Sequence, residues 1–326
     1  MRRTFLLQTL AASLALAAAP AFAQANFPSK PIRFIVPYPA GGGTDYVARL
    51  IGERLSKRLG QPVLVENKSG AAGAIGVAEV AKAEPDGHTV LITINDPLVN
   101  NVALFKSLPY DPQKDLAFVA QIVRSPALIS AGTQLGVKSM DDLRQLAQRG
   151  GGKLSYASWG IGGLGHLAGE SLNRELKAQM VHVPQRGEGP VVQDLLANTV
   201  SVGLSSVGTA KQHVAAGKIV PLGVMNHQRM SAMPNVPTLK ELGFKDPLYE
   251  TSVWMAALVP ARTPAPVVRK LSEEIRAIAA TPEVTALLVD RGLEMHLTTP
   301  EQATANYRAE FDIITKRIRD LGIEPQ

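Results

Sequence analysis

Four times along this chain an apolar or mixed strand pattern runs into a glycine-bearing turn that opens a helix: at 40 to 45, 69 to 76, 160 to 166 and 186 to 190. The first is the clearest. Ile32 to Val36 has the length and composition of a buried strand, and Pro37-Tyr38-Pro39-Ala40-Gly41-Gly42-Gly43-Thr44-Asp45 follows it. Val47, Leu50, Ile51, Leu55 and Leu59 then recur on one face of a helix, with Arg49, Glu53, Lys57 and Arg58 elsewhere. A chain that alternates strand, glycine turn and helix in this way is constrained to an α/β fold with parallel-rich sheets and helices on both faces. The same junctions offer chemistry. Glycine lets the backbone approach a ligand, and the first N–H groups of a helix have no partner within it, which suits an anion. A tight turn that binds nothing is the other reading of any one of them.

The remaining strands and helices set the organisation. Val63-Leu64-Val65, then Thr89 to Ile94 closed by Asn95, Asp96 and Pro97, continue the first group. Phe118 to Ala131 reads as a strand broken at Pro126, a crossing into a second lobe. That lobe opens with a helix from Ser139 to Arg149, stopped by Gly150-Gly151-Gly152. Strands follow at 153 to 158, 181 to 183, 200 to 204 and 220 to 224. Trp254 to Val259 reads as the return crossing, and helices fill the tail at 267 to 279, 283 to 291 and 300 to 321. The expected division is 24–124 for the first part of lobe one, 125–252 for lobe two, and 253–326 for the return and the C-terminal helices, mainly of lobe one. About 300 residues usually make two domains.

Residues 1–23 have the form of a signal peptide. Arg2 and Arg3 precede an apolar stretch from Phe5 to Ala19, and Ala21-Phe22-Ala23 supplies a small-residue cleavage site before Gln24. Arg2-Arg3-Thr4-Phe5-Leu6 also fits a twin-arginine signal loosely, so the export route stays open. Removing this segment, which holds two arginines and no acids, takes the net charge from +6 to +4. With no run of like charge, that mild balance argues against nucleic acid as a partner. The absence of cysteine excludes disulfides, thiolate metal sites and a lipid-modified cysteine. The histidines, at 88, 166, 182, 213, 227 and 296, have no metal-ligand spacing, and neither metal nor cofactor is expected.

Two enzymatic readings fail on local detail. Gly160-Ile161-Gly162-Gly163-Leu164-Gly165 spells the dinucleotide fingerprint after a strand, but the strand Val181 to Val183 runs into Pro184 and Gln185 with no acid to hold a ribose. Ser158 has Tyr156 where a nucleophile elbow needs glycine. No catalytic residue is assigned. If the two lobes face each other, the four junctions line one cleft. Each helix start contributes roughly 0.3–1 kcal/mol toward an anion, and each hydrogen bond to a charged group about 1.5–3 kcal/mol. A few of these exceed the roughly 8 kcal/mol of micromolar binding before ordering costs are subtracted. That arithmetic permits a carboxylate receptor without an arginine clamp.

Taken together, Tyr38 to Asp45, the loop from Val65-Glu66-Asn67 to Gly76, Pro85-Asp86-Gly87, Leu108-Pro109-Tyr110-Asp111-Pro112, His166 after its glycines, Met233 to Thr238 and Trp254 resemble the substrate-binding proteins of tripartite tricarboxylate transporters, the Bug receptors. The resemblance spans the mature chain in order. It implies a two-lobed periplasmic binding protein of the type II class, closing on a small carboxylate in a cleft between its lobes. It implies delivery to a permease of one large and one small membrane subunit, and a monomeric receptor in the periplasm. A receptor that signals through a sensor kinase uses the same closure and is the alternative.

The family holds its ligand largely through main-chain amides and ordered waters. By position this role falls on Tyr38, Ala40, Gly41, Gly42, Thr44, Asp45, Gly70 and Ala71 in the first lobe, and on Ser158, Gly160, Gly162, Gly163, His166, Arg186 and Gly187 in the second. Trp159 stands where the family is often small, either stacking on an aromatic carboxylate or packing under its loop. Gly163 replaces a frequent hydroxyl, which weakens the expectation of an amino-acid or tricarboxylate ligand bound in the family's usual manner; Gln185 replaces a frequent tyrosine, and Ser201 and Ser205 frequent aspartates. Asp45 either holds the ligand or satisfies its helix start. His166 reads as a structural hydrogen bonder or a base, and Arg186 as a steering charge or a solvated one. Tyr38 reads as a ligand contact or a core wall. The expected ligands are dicarboxylates, tricarboxylates, aromatic or nicotinate-like acids and acidic amino acids.

Overall fold

The structure, a computed structural model, describes residues 27–149 and 154–325. The signal-peptide reading at 1–23 and the glycine stop at 150–152 lie outside the described residues. In chain order the first elements are β1 (Ile32–Val36), α1 (Gly43–Leu59), β2 (Val63–Asn67), α2 (Ala74–Ala81), β3 (Thr89–Ile94), α3 (Asn100–Leu104) and β4 (Leu116–Ser125). Then come β5 (Ala127–Gly132), α4 (Met140–Gln148), β6 (Ser155–Ser158), α5 (Leu164–Leu176), β7 (Val181–Pro184), α6 (Glu188–Ala197), β8 (Val202–Ser206), α7 (Val207–Ala215) and β9 (Ile219–Met225). The chain ends with β10 (Val253–Pro260), α8 (Ala265–Ala279), α9 (Pro282–Asp290), β11 (Glu294–Met295) and α10 (Pro300–Asp320).

These strands form two sheets. The order is β11-β4-β10-β3-β1-β2 in the six-stranded sheet and β7-β6-β8-β5-β9 in the five-stranded one. Both are mixed. The βα units give parallel pairs, β1 with β2 and β3, and β6 with β7 and β8. Most antiparallel pairs involve strands that pass between the sheets, β10 with β3 and β4, and β5 with β8 and β9, while the short β11 also pairs antiparallel with β4. A strand arriving from the other sheet has no crossover helix to bring it round, so it enters head to tail. Pro126 separates β4 from β5. It has no N–H to give to either ladder, and its carbonyl accepts from Val207 N–H at 3.3 Å.

Side-chain alternation fixes which face each strand covers. Along β1, Phe34 and Val36 join Ile51, Leu55, Leu271 and Ile275 beneath α1 and α8, while Ile35 points to the other face, with Val77 and Leu98. In the second sheet Ile129 and Val202 meet Leu167 and Leu172 of α5, whereas Leu128 meets Val191 and Leu195 of α6. Both sheets therefore carry helices on both faces. Among the described residues no helix is long and apolar enough to cross a membrane.

Candidate ligand cleft

In both sheets the glycine junctions follow the carboxyl ends of parallel strands, the usual edge for ligands in open α/β sheets. There a cavity of ≈ 350 Å³ is walled from both sides. The first sheet's loops and α3 supply Tyr38, Ala72, Asp96, Asn100, Asn101, Leu104 and Phe105; the loop after β6 supplies Trp159, Gly160, Ile161 and Gly163. The two sides touch. Asn100 Nδ2 donates to the Gly162 carbonyl at 2.7 Å, and Leu104 covers Gly162 so closely that a Cβ there would lie 2.4 Å from Leu104 Cδ1.

The buried side-chain atoms left without a partner in this cavity are two carbonyl-type oxygens and a hydroxyl. Tyr38 Oη, Asp96 Oδ1 and Asn100 Oδ1 are buried and have no partner among the described residues. Burial alone pushes the Asp96 carboxyl up to about 6, with no positive side chain pulling it back. Burial, then the charge of Asp96, raises the Tyr38 hydroxyl well above its ordinary value. Among the described residues, no lysine or arginine lines this space. Trp159 lines the cavity, and its six-membered ring packs under the loop, so tightly on Gly165 that a Cβ there would lie 2.7 Å away.

A second cavity of ≈ 610 Å³ lies beside the strands that join the sheets, reaching Ser125 and Val253. The start of α1 borders it through Gly43 and Thr44, facing Glu188, Ser206 and Thr209 of the other sheet. Glu188 Oε2 is already claimed, accepting from the Ser206 and Thr209 hydroxyls.

The residues expected from sequence thus divide. Tyr38, Trp159, Gly160 and Gly163 line the first cavity, and Thr44 the second. Gly162 closes the first through its carbonyl, and its N–H donates to His166 Nδ1 at 3.0 Å. The His166 ring stacks on His182 with centroids 4.0 Å apart, and burial lowers the basicity of both, that of His182 to about 4. Two neutral stacked imidazoles hold the loop. Ser158 is fully buried, with its hydroxyl 2.8 Å from His182 Nε2.

Asp45 is engaged on every side. Its Oδ2 accepts from Gly41 N–H at 2.9 Å and Arg49 Nε at 3.0 Å, and its Oδ1 accepts from Asn67 Nδ2 at 3.0 Å. Burial pushes its carboxyl up, but these donors outweigh that and hold it below the usual range. Asp45 folds the glycine turn onto α1. Ala40, Gly41, Gly42, Gly70, Ala71, Arg186 and Gly187 border neither cavity. Ala71 and Ala72 both have positive φ, 46° and 50°. Asn101 Nδ2 braces the loop through the Ala72 carbonyl at 3.0 Å, and Ala72 is the residue that reaches the cavity. Sequence reasoning passed over Asp96, Asn100, Asn101, Leu104 and Phe105. The signal available for Asp96 was its place directly after the carboxyl end of β3.

Comparisons with known proteins bear on this arrangement. Residues 47–320 match the model of the family described as tripartite tricarboxylate transporter family receptor. Three solved structures align over nearly the whole chain. The periplasmic binding protein BugD is 30% identical with a TM-score of 0.75, covering 92% of this chain and 100% of its own. Rpa4515 of R. palustris, solved with adipate, is 31% identical with a TM-score of 0.79, at 92% and 100% coverage. MatC of Rhodopseudomonas palustris, solved with bound malate, is 31% identical with a TM-score of 0.73, at 90% and 100% coverage.

Proposed function

The chain belongs to the tripartite tricarboxylate transporter receptor family of periplasmic binding proteins, and on that premise we propose that it captures a small organic carboxylate between its lobes and delivers it to a permease of one large and one small membrane subunit. The family is one of receptors rather than enzymes. The lobes are 24–124 with 253–326, and 125–252. The receptor acts as a monomer in the periplasm after cleavage behind Ala23.

The observation that carries this reading is the cavity walled by Tyr38, Asp96 and Asn100 on one side and Trp159 to Gly163 on the other. A site assembled from two sheets joined by crossing strands gains contacts when they close, which couples ligand capture to shape. Helix α5 starts there, with Gly163 as an N-cap that offers no side chain. Its first-turn amides are the donors for a carboxylate. The ligand contacts are the loops of Tyr38 to Asp45, Gly70 to Ala72 and Ser158 to His166, with Asp45, Ser158 and His166 acting through the backbone they position. Arg186 and Gly187 lie on the approach to α6. Adipate and malate in the two relatives are both small dicarboxylates, which supports the ligand class.

A thermal-shift screen of mature protein against small di-, tri- and aromatic carboxylates tests this. A ligand at 100 times its Kd adds about 2.7 kcal/mol, so at least one compound should raise the Tm by several degrees. A panel in which none does overturns the reading.

A further inference from the structure

We propose that the cargo is zwitterionic: an amino-carboxylate whose ammonium group faces Asp96 and Asn100, with its carboxylate turned to the start of α5. This rests on the reading of the cavity as a carboxylate site and goes further by assigning the opposite end. Asp96 Oδ1 and Asn100 Oδ1 are buried without a partner among the described residues, and both residues line the cavity. Asn100 is only 2% exposed, and its Nδ2 is spent on Gly162, so its free oxygen can only accept. Tyr38 Oη, likewise unpartnered, can accept as well. Buried acceptors left unmet cost free energy, so the occupant that suits them brings donors.

Charge selects among donors. Asp96 contributes a negative charge, and among the described residues the lining holds no lysine or arginine to offset it. A plain dicarboxylate would add two more negative charges to a half-enclosed space. An ammonium beside Asp96 instead pairs with the acid while the ligand carboxylate keeps to the amide end, and the two ends no longer oppose each other. The indole of Trp159 and the ring of Phe105 border the same space and supply apolar surface for the stem atoms of such a ligand.

Two matched series test this by calorimetry on the mature chain at about pH 7.5, above the Asp96 value of about 6. One is succinate, malate and aspartate; the other is 3-phenylpropionate, phenyllactate and phenylalanine. Within each series the carboxylate skeleton stays fixed and one substituent runs from hydrogen to hydroxyl to ammonium. In at least one series the ammonium member should bind at least tenfold tighter than the other two. Asp96→Asn, which keeps size and an acceptor but removes charge, should cost that member at least tenfold while the unsubstituted acid binds as well or better. In both series, the parent or hydroxy acid binding as tightly as the amino acid would overturn the inference and leave the carboxylate reading intact. So would an Asp96→Asn loss equal across a series, since that marks a loop-positioning role. Failure of all six compounds to bind wild type overturns this inference, and where the thermal-shift panel also finds no ligand the carboxylate reading falls with it.

Discussion

Gly162→Val is expected to weaken binding of any carboxylate that stabilises the wild type by at least about a hundredfold, or roughly 2.7 kcal/mol. Two effects act together. Gly162 has φ +75°, a conformation that a β-branched residue adopts only with strain, on the order of 1–3 kcal/mol. Its Cβ would also lie 2.4, 2.8 and 3.2 Å from Leu104 Cδ1, Cδ2 and Cγ. Leu104 can escape only by swinging, and it already forms part of the cavity wall. The valine therefore either fills the ligand space or holds the lobes apart and breaks the Asn100–Gly162 hydrogen bond. Leu104→Ala in the same chain should recover part of the affinity by removing the steric part and leaving the backbone strain. Gly41 gives the contrast. Its φ is +86°, but a Cβ at that position would meet no atom within 4 Å, so Gly41→Val carries no steric part and should weaken binding less than Gly162→Val does, its cost being backbone strain alone, on the order of 1–3 kcal/mol. Calorimetry on the two single variants and the double variant separates these terms. Full binding by Gly162→Val would remove the inter-sheet cavity from the account.

That contrast shows what the sequence can and cannot disclose. The glycine junctions were legible because strand period, glycine punctuation and helix period are local properties, each visible within about fifteen residues. Pro126 was legible for the same reason. Which glycine faces the partner lobe was not: Gly41 and Gly162 look alike in sequence, and only the fold sets Leu104 against one of them. The five residues of α3 are too few to show a helical period, yet they carry Asn100 and Leu104 across the cleft. Asp45 and Ser158 were expected at the site because a polar residue beside a glycine loop invites that reading. Arg49, Asn67 and His182, which engage them, lie on other elements or a turn away. Parallel pairing, expected from the alternation of strand and helix, is what the βα units form. It does not extend to the strands that cross between sheets, whose direction depends on where the chain comes from.

The largest stability effect is expected at Trp254, the pivot of the return strand β10. It is fully buried, its ring meets Phe118 edge-on with centroids 5.8 Å apart, and its Nε1 donates to Glu310 on α10. Trp254→Ala should cost about 3–5 kcal/mol from the lost burial and the cavity left behind, a large share of the roughly 5–15 kcal/mol that holds a typical domain. It would also strand a buried carboxyl. Glu310 is 9% exposed, and burial pushes its pKa up to about 7, with the Trp254 N–H and the Arg124 charge pulling it back only in part. The folded state therefore holds this proton more tightly than the unfolded chain does. Stability from this group is full below about 4.5 and is lost as pH rises through about 7. At one pKa unit per 1.36 kcal/mol the loss is at most about 3 kcal/mol. Glu310→Gln keeps an oxygen for the indole and removes the titration. It should match wild type near about pH 4.5 and exceed it by up to that amount at about pH 8, read as urea midpoints across the range. Parallel curves for wild type and the Glu310→Gln variant would show that the Glu310 carboxyl is not charged against its burial, and Trp254→Ala should then cost no more than its packing.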